Sequence, residues 1–186
     1  MPINNLLEQT ACIVRRCKKT AGEIEQTEGY KRRQIKKLIK FANDKNLWID
    51  LSRLNLTYMD KGGKNEVFHD GNVSVIKLNN FEYAGDDLEN FFIRIDTHNK
   101  FFGNVPYQLI GLSYNSQQEF CAVLTQPYVL AEREATEEEI MIYMQALGFE
   151  MDYYNECHNA IMKCLMQSPI MYSTVLIKIY TSSIHK

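Results

Sequence analysis

One lysine in this sequence lies where its neighbours suggest a specific ionic contact. In a predicted β-strand, Val73, Val75 and Lys77 share one face because side chains alternate along a strand. A lysine beside apolar residues either extends its ammonium to solvent or has an anionic partner. Glu89 and Asp96 flank the buried stripe of a predicted helix, so that either carboxylate can reach across to Lys77. The chemistry predicted here is the pairing of an ammonium with an anion.

Metal and nucleophile chemistry are not indicated. The five cysteines are scattered, and no Cys or His pair has the spacing of zinc ligands. The sequence has neither a nucleophile elbow nor a Cys–His signature. With no basic n-region and apolar core at the start, we expect reduced thiols and a cytoplasmic location. No stretch approaches the roughly 20 apolar residues that span a bilayer, so we expect no membrane association.

The elements that position Lys77 belong to a folded chain of 186 residues, of which 45% are hydrophobic. Residues 1–45 carry eleven Lys and Arg against five Asp and Glu, a net charge of +6, whereas the remainder carries ten against eighteen, a net charge of −8. This basic segment is predicted to be helical, with a second helix from Glu28 to Phe41 or Ala42. The outer face of that helix, within residues 31–40, is either a solvated surface or a nucleic-acid patch. It lacks the interleaved aromatic residues that favour single-strand binding.

The central part of the chain has the pattern of short strands around one helix. Asp70-Gly71 is a strong signal for a two-residue hairpin. The helix is expected to bury Leu88, Phe91, Phe92 and Ile95. The predicted strands are Leu54–Met59, Glu66–His69, Asn72–Leu78, Tyr107–Tyr114 and Glu119–Thr125, and the helix is Asp86–Asn99.

The end of the last strand and the segment after it carry further signals. Phe120 to Leu124 is almost wholly apolar, as in a strand that is buried on both faces, and Pro127 then stops sheet pairing. Thr136 opens a capping box, and the helix that follows ends at Gly148. Along the chain, the predicted elements follow in this order: a strand, a Gly-Gly turn, a strand, a hairpin turn, the strand that contains Lys77, a helix, two strands, a Pro-containing hinge and a final helix.

This order resembles the amino-terminal lobe of a protein kinase leading into its hinge. The stretches Leu47-Trp48-Ile49-Asp50 and Gly62-Gly63-Lys64-Asn65-Glu66-Val67-Phe68, followed by Val75-Ile76-Lys77, sharpen the match. Together they resemble the serine/threonine/tyrosine kinase domain found in polyvalent proteins of bacterial mobile elements. The resemblance covers about residues 45–150. It departs from the GxGxxGxV loop at Asp60 and Asn65, where the family has glycines.

The resemblance implies roles for six residues and two cofactors. Gly62 and Gly63 would cover the phosphates of ATP, and Lys77 would contact them while pairing with Glu89. The hinge from Gln126 to Tyr128 would face the adenine. ATP and magnesium are the implied cofactors, and phosphate transfer to a protein hydroxyl is the implied activity.

The catalytic residues of such a kinase are missing from the sequence. The family's mechanism uses a catalytic-loop aspartate, an asparagine five residues later and a metal-binding aspartate further on. After Gly148 the chain offers Asp152, Asn155 and Asn159, which do not have that arrangement, and there is no DFG-like triplet. No residue is therefore assigned a catalytic or metal-binding role.

The tail, residues 159–186, contains no acidic residue and suggests a different reading frame. In the alternate frame, the last base of each codon is read together with the first two bases of the next codon. In that frame the pair Met162-Lys163 can encode only glutamate, and the pair Met166-Gln167 can encode only alanine. With permitted codons, the alternate frame can contain an aspartate, an asparagine five residues later and a further aspartate downstream. One hypothesis is a one-base shift near residues 155–161. The alternative is a genuine carboxy-terminal strand.

The sequence therefore predicts an α+β fold in three parts. A basic helical segment, 1–46, precedes a kinase-like amino-terminal lobe with hinge, 47–130, which is an antiparallel sheet plus a helix. A truncated helical part, 131–186, follows. Two functions remain open: a kinase-like nucleotide-binding domain that is inactive as this chain, or a non-catalytic module that binds protein or nucleic acid. Loss of the catalytic half would expose apolar surface near the hinge and favour self-association.

Overall fold

The computed structural model describes residues 5–17, 27–62, 65–130, 133, 135–151 and 157–158. The chain divides into two compact units, one of Met1–Asp96 with Tyr107–Tyr128, and one of Thr97–Pro106 with the chain from Val129 onwards. The amino-terminal helices and the sheet therefore belong to one unit. The predicted limits at residues 46 and 130 stay predictions.

The first unit contains a five-stranded antiparallel sheet. Its strand order is β1-β2-β3-β5-β4, so the last two strands are exchanged relative to their order in the chain. The strands are β1 Thr57–Gly62, β2 Asn65–His69, β3 Ser74–Asn79, β4 Gln108–Tyr114 and β5 Phe120–Pro127. With the helices described below, this sheet confirms the predicted α+β class.

The centre of the sheet is β5, which pairs with β3 on one side and β4 on the other. Cys121, Ala122 and Val123 are fully buried, as the apolar run predicted. On one face of the sheet, Ile76, Leu78, Cys121 and Val123 form a core cluster, and Ile49 and Leu51 are among the residues that pack against it. Burial raises the pKa of the Cys121 thiol to about 12, so this thiol stays protonated near neutral pH.

Two helices precede the sheet, α1 Asn5–Arg15 and α2 Thr27–Lys45. The second is longer than the prediction at both ends. Gln34, Leu38 and Ala42, four residues apart in turn, are fully buried and define its inner face. Of the basic residues in α2, Arg32, Lys36, Lys37, Lys40 and Lys45 are exposed.

The third helix, α3, runs from Glu89 to Phe101, and the predicted stripe of Leu88, Phe91, Phe92 and Ile95 is buried. It begins three residues later than expected, because short 3-10 and turn structure occupies the residues before it. Asp87 lies directly before Leu88, and its carboxylate accepts a hydrogen bond from the Glu89 amide at 2.9 Å. This contact satisfies one of the free amides at the helix start.

The hairpin between β2 and β3 is in the predicted place but is longer than predicted. Its loop spans residues 70–73, because the Asp70 carboxylate accepts hydrogen bonds from the amides of Asn72 and Ser74. Gly71 takes the positive φ of 80° that the turn requires. Val73 therefore lies in the loop with 77% of its surface exposed, and the prediction that it shares a strand face with Lys77 is wrong.

In the second unit, Phe102, Val105, Met144 and Phe149 form a separate core cluster. Helix α4, Glu137–Ala146, begins with the predicted capping box, in which Thr136 and Glu139 exchange hydrogen bonds with each other's backbone amides. Gly148 follows the helix with a φ of 81°, as expected of a residue just past its end. Two short paired strands, β6 Glu150–Met151 and β7 Cys157–His158, complete the described part of this unit.

Within the described residues, none of the helices combines the length and the apolar character that crossing a bilayer would require.

Candidate functional site

Lys77 lies near the middle of β3 and is half-buried. Its Nζ donates one hydrogen bond to Gln126 Oε1 at 2.9 Å and another to the Tyr107 hydroxyl at 3.1 Å. The ammonium also lies 5.0 Å from the centre of the Tyr107 ring, within the range of a cation–π contact. Both hydrogen-bond acceptors are neutral, so these contacts orient the ammonium without cancelling its charge.

The register of the sheet explains why Lys77 and Gln126 meet. Lys77 is opposite Leu124, and Gln126 is opposite Val75. Directly opposed residues share a face, and residues two apart along a strand share that face as well. The side chains of Lys77 and Gln126 are therefore diagonal neighbours. Gln126 is only 2% exposed, so its amide oxygen is shielded from water and needs a donor.

Tyr107 was missed as a site residue by the sequence reasoning, which treated it only as the start of a strand. It lies just before β4 and is 2% exposed. A buried tyrosine hydroxyl generally requires a hydrogen-bond partner, which was the available signal. One partner that the structure gives it is the ammonium of Lys77.

Glu89, the predicted partner of Lys77, makes a different ion pair. Its Oε1 lies 2.8 Å from Nε of Arg15 in α1, with the two side chains 33% and 55% exposed. Since Lys77 is bonded to Gln126 and Tyr107, the predicted Lys77–Glu89 ion pair is not formed between these two described residues. Asp96, the other carboxylate considered, is exposed.

The glycine turn is only partly described. Gly62 ends β1 and is paired with Asn65, the first residue of β2. Gly63 lies outside the described residues, so the predicted phosphate-covering role of both glycines stays a prediction.

The predicted hinge has few free backbone donors. Pro127 ends β5 and has no N–H group, and the Tyr128 amide donates to the Val73 carbonyl oxygen at 2.7 Å. The Tyr128 ring meets the His69 ring edge to face, with centroids 4.7 Å apart. A purine would therefore contact the Pro127–Tyr128 segment through side chains or carbonyl oxygens, and its predicted adenine-facing role stays a prediction.

The part of the chain that the structure describes contains no cluster of three or more His, Cys, Asp or Glu residues that could hold a metal ion. Asp152, Asn155 and Asn159, the candidates that the sequence offers after Gly148, lie outside the described residues.

The sequence matches the family described as Serine/Threonine/Tyrosine Kinase found in polyvalent proteins over residues 31–174, which is more than half of the chain. The chain belongs to this kinase family. No curated protein and no solved structure matches it.

The extent of the match differs from that of the resemblance seen in the sequence. The family match begins at Lys31 in α2 and continues to residue 174. The resemblance seen in the motifs covered only about residues 45–150. Residues 159–174 are thus matched as they stand, although the frameshift hypothesis places them in another frame. These residues lie outside the described ones, and the hypothesis stays a prediction.

Proposed function

We propose that this chain binds ATP through its sheet unit, with Lys77 in contact with the phosphates. The observation that carries the proposal is that the half-buried ammonium of Lys77 is held by two neutral oxygens, those of Gln126 and Tyr107. A preorientated positive charge is what a nucleotide phosphate requires, and kinases use a strand lysine for this purpose. The turn at Gly62 and Gly63 would cover the same phosphates.

We propose further that the chain as written does not transfer phosphate. ATP supplies the transferable phosphoryl group when it is bound, and magnesium neutralises its charge in the family's mechanism. The sequence lacks the spaced aspartates and asparagine of that mechanism, which supports this proposal. This chain's own contribution is to bind and orient the nucleotide.

Substitution of Lys77 tests the proposal. Lys77→Met keeps the length of the side chain and removes its charge, and Lys36→Met removes an equal charge from the exposed face of α2. We expect wild type and Lys36→Met to bind ATP with similar affinity in a calorimetric titration. Loss of a charged hydrogen bond costs about 1.5–3 kcal/mol, so the affinity of Lys77→Met should fall at least about tenfold.

Two results would contradict the proposal. Equal binding by wild type and Lys77→Met would exclude Lys77 as the phosphate contact. Failure of the wild-type chain to bind ATP would favour the second function class, a non-catalytic binding module. A melting curve for each variant establishes that the fold is retained.

The exposed basic residues of α2 are the observation that favours the second class. Arg32, Lys36, Lys37 and Lys40 are exposed, whereas Lys31 is turned inward and donates to the Phe81 carbonyl oxygen at 2.8 Å. A nucleic-acid contact through these residues would weaken steeply as salt concentration rises, because bound counterions are released from the phosphates. A titration with duplex DNA at two salt concentrations separates the two functions.

Two further expectations accompany the proposal. A role in a polyvalent protein of a bacterial mobile element would place the chain in a cytoplasm, where ATP is abundant. Self-association of this chain would appear in sedimentation experiments as a mass that rises with protein concentration.

A further inference from the structure

A cleft lies beside the outer edge of β4, where the chain that follows α2 runs along the sheet before β1 begins. Its volume is 390 Å³, toward the lower end of the roughly 300–1,000 Å³ that is typical of ligand pockets. The polar and aromatic side chains that line it are Trp48, Asp50, Ser52, Ser113 and Tyr114. A cleft of this size can hold a single side chain of a partner.

The cleft is separate from the proposed nucleotide site. Ile49 and Leu51 also line it, and both pack against the core cluster that includes Ile76 and Leu78. Lys77 lies between those two core residues in β3, so its side chain points to the opposite face of the sheet. A ligand in the cleft would therefore bind in addition to ATP and not in its place.

Aromatic rings form one wall of the cleft. Trp48 stacks on Tyr114, with ring centroids 5.3 Å apart and planes 10° from parallel. Phe120 meets both rings edge to face, with its centroid 6.1 Å from each. The indole N–H of Trp48 donates to Asn43 Oδ1 at 2.7 Å, so this donor is already used. The faces of such rings carry partial negative charge, which attracts cations.

Both serine hydroxyls of the cleft use their protons within the protein. The Ser52 hydroxyl donates to Asp50 Oδ1 at 2.6 Å. The Ser113 hydroxyl donates to the Ile49 carbonyl oxygen at 2.9 Å. A hydroxyl has one proton to donate and two lone pairs to accept with. These two side chains therefore offer a ligand only acceptors.

The charge of the cleft comes from Asp50. Hydrogen bonds from Ser52 lower the pKa of this carboxyl below its usual value, so it is ionised near neutral pH. Its Oδ2 lies 2.9 Å from Nε of Arg53, but the two side chains are 52% and 84% exposed. Ion pairs between side chains this exposed contribute little free energy. A cation that enters the cleft can therefore replace Arg53 at Oδ2.

We propose that this cleft binds an arginine side chain of a partner polypeptide. Asp50 supplies the charge, Ser52 and Ser113 supply acceptors, and the aromatic wall supplies a surface on which a guanidinium can stack. Arginine fits better than lysine because its planar guanidinium carries five donors in a fixed geometry and stacks on aromatic faces. An anionic ligand would instead meet a carboxylate and two hydroxyls without a proton to donate.

The fluorescence of Trp48 tests the proposal directly, because it is the only tryptophan of the chain. The probes are two blocked tripeptides, Gly-Arg-Gly and Gly-citrulline-Gly, which have nearly the same shape but differ in charge. We expect the arginine peptide to change the fluorescence saturably. The citrulline peptide should bind at least about tenfold more weakly, since its side chain lacks the charge that pairs with a carboxylate.

Four variants identify the carboxylate that the peptide contacts. Asp50→Asn should lower the affinity for the arginine peptide at least about threefold. Asp44→Asn is the matched control, because Asp44 is similarly exposed, at 55%, and is likewise ion-paired, with Lys40. Arg53→Gln removes the competing cation and should raise the affinity about two- to threefold, whereas Lys40→Gln should not.

The outcomes that would overturn the proposal are distinct from those that concern ATP. A fluorescence response that does not saturate, or equal affinities for the arginine and citrulline peptides, would overturn it. Equal losses in Asp50→Asn and Asp44→Asn would do the same. Tighter binding of a Gly-Lys-Gly peptide or of free spermidine would overturn the assignment to arginine. Asp50→Asn should bind ATP as the wild-type chain does, and melting curves establish that each variant is folded.

Discussion

Lys77 Nζ lies 2.9 Å from Gln126 Oε1, which joins the charged side chain of β3 to the end of β5. The two residues are far apart in sequence, and only the antiparallel register brings them together. Because the acceptor is an amide, the positive charge of Lys77 is orientated but not neutralised. We therefore expect the residue at position 126 to affect how readily the Lys77 ammonium binds an anion.

Changing Gln126 to glutamate should make the positive charge of Lys77 less available to the phosphates of ATP. Gln126→Glu has nearly the same shape but places a carboxylate beside the ammonium, and an ion pair in this shielded position would compete with phosphate. We expect ATP affinity to fall about tenfold or more, since the phosphates would also be repelled by the new carboxylate. Calorimetric titration of ATP measures the change.

Gln126→Met is the control, because it removes the acceptor at similar volume without adding charge. We expect its ATP affinity to fall less than that of Gln126→Glu. Equal losses in the two variants would mean that the geometry of the acceptor, and not its charge, decides binding.

Gly111 in β4 is required for a close backbone approach. The segment before the sheet runs beside β4, with the Leu112 amide donating to the Leu47 carbonyl oxygen at 3.0 Å. A Cβ atom on Gly111 would lie 2.5 Å from both that oxygen and Ile49 Cγ1. We expect Gly111→Ala to lower the free energy of unfolding by about 1–3 kcal/mol, as measured by urea denaturation.

Gly29 provides the opposite case within the same unit. It lies in α2, and a Cβ there would meet nothing within 4 Å. Gly29→Ala should therefore raise the free energy of unfolding by about 0.5–1 kcal/mol, because alanine is the better helix former. If both variants changed stability in the same direction, crowding at Gly111 would not be the cause.

Local patterns predicted much of this fold because they act over a few residues. The apolar run at Phe120–Leu124, the buried stripe of α3 and the capping box at Thr136 depend on periodicity or on contacts within one turn, and all are present. The loop after β2 was predicted less well, since a side chain, Asp70, extended the turn beyond the two residues of the motif.

The candidate site was predicted only in part because it depends on contacts between distant residues. Alternation of side chains placed the strand that contains Lys77, and Pro127 marked the end of β5. The partner of Glu89 could not, because Arg15 is 74 residues away in the sequence and the pairing follows from how α1 packs. Alternation along β3 also cannot show that β5 is its neighbour in the sheet, and it is this pairing that places Gln126 beside Lys77.

The pKa of Glu139 gives a prediction about pH in the second unit. Hydrogen bonds from the Arg133 side chain, then from the Thr136 amide, lower the pKa of this carboxyl from 4.5 to about 2. Arg133 binds it with both terminal nitrogens, at 2.6 and 2.8 Å. A lowered folded-state pKa means that the contribution of this carboxylate to the start of α4 is complete above the unfolded pKa, and is lost as pH falls from about 4.5 toward 2.

Arg133→Gln should raise the pKa of Glu139 toward its ordinary value. The measurement is an NMR titration of the Glu139 carboxyl carbon, with the wild-type midpoint expected at about 2. The loss of contacts at the start of α4 should then begin at higher pH in the variant. Thr136→Val provides a smaller perturbation, because the Thr136 amide that binds Glu139 is retained. An unchanged midpoint in Arg133→Gln would show that Arg133 does not hold this carboxylate in solution.

The reading frame of the tail decides how this chain relates to an active kinase. The frameshift hypothesis predicts that DNA sequenced from the codon for Glu150 onwards keeps an open alternate frame beyond the codon for Lys186. That frame should encode the aspartate, the asparagine five residues later and the downstream aspartate of the kinase mechanism. Restoring the frame should then yield a longer chain that transfers phosphate from ATP to a protein hydroxyl.

The family match gives the competing expectation. It includes residues 159–174 in the present frame, so a tail that belongs to the family as it stands requires no shift. A stop codon early in the alternate frame would decide for this alternative. The chain would then be a family member without the usual catalytic carboxylates, and Lys77 with its neutral partners would serve in nucleotide binding alone. An open alternate frame with the spaced aspartates would instead make the same Lys77 site the remnant of a catalytic one.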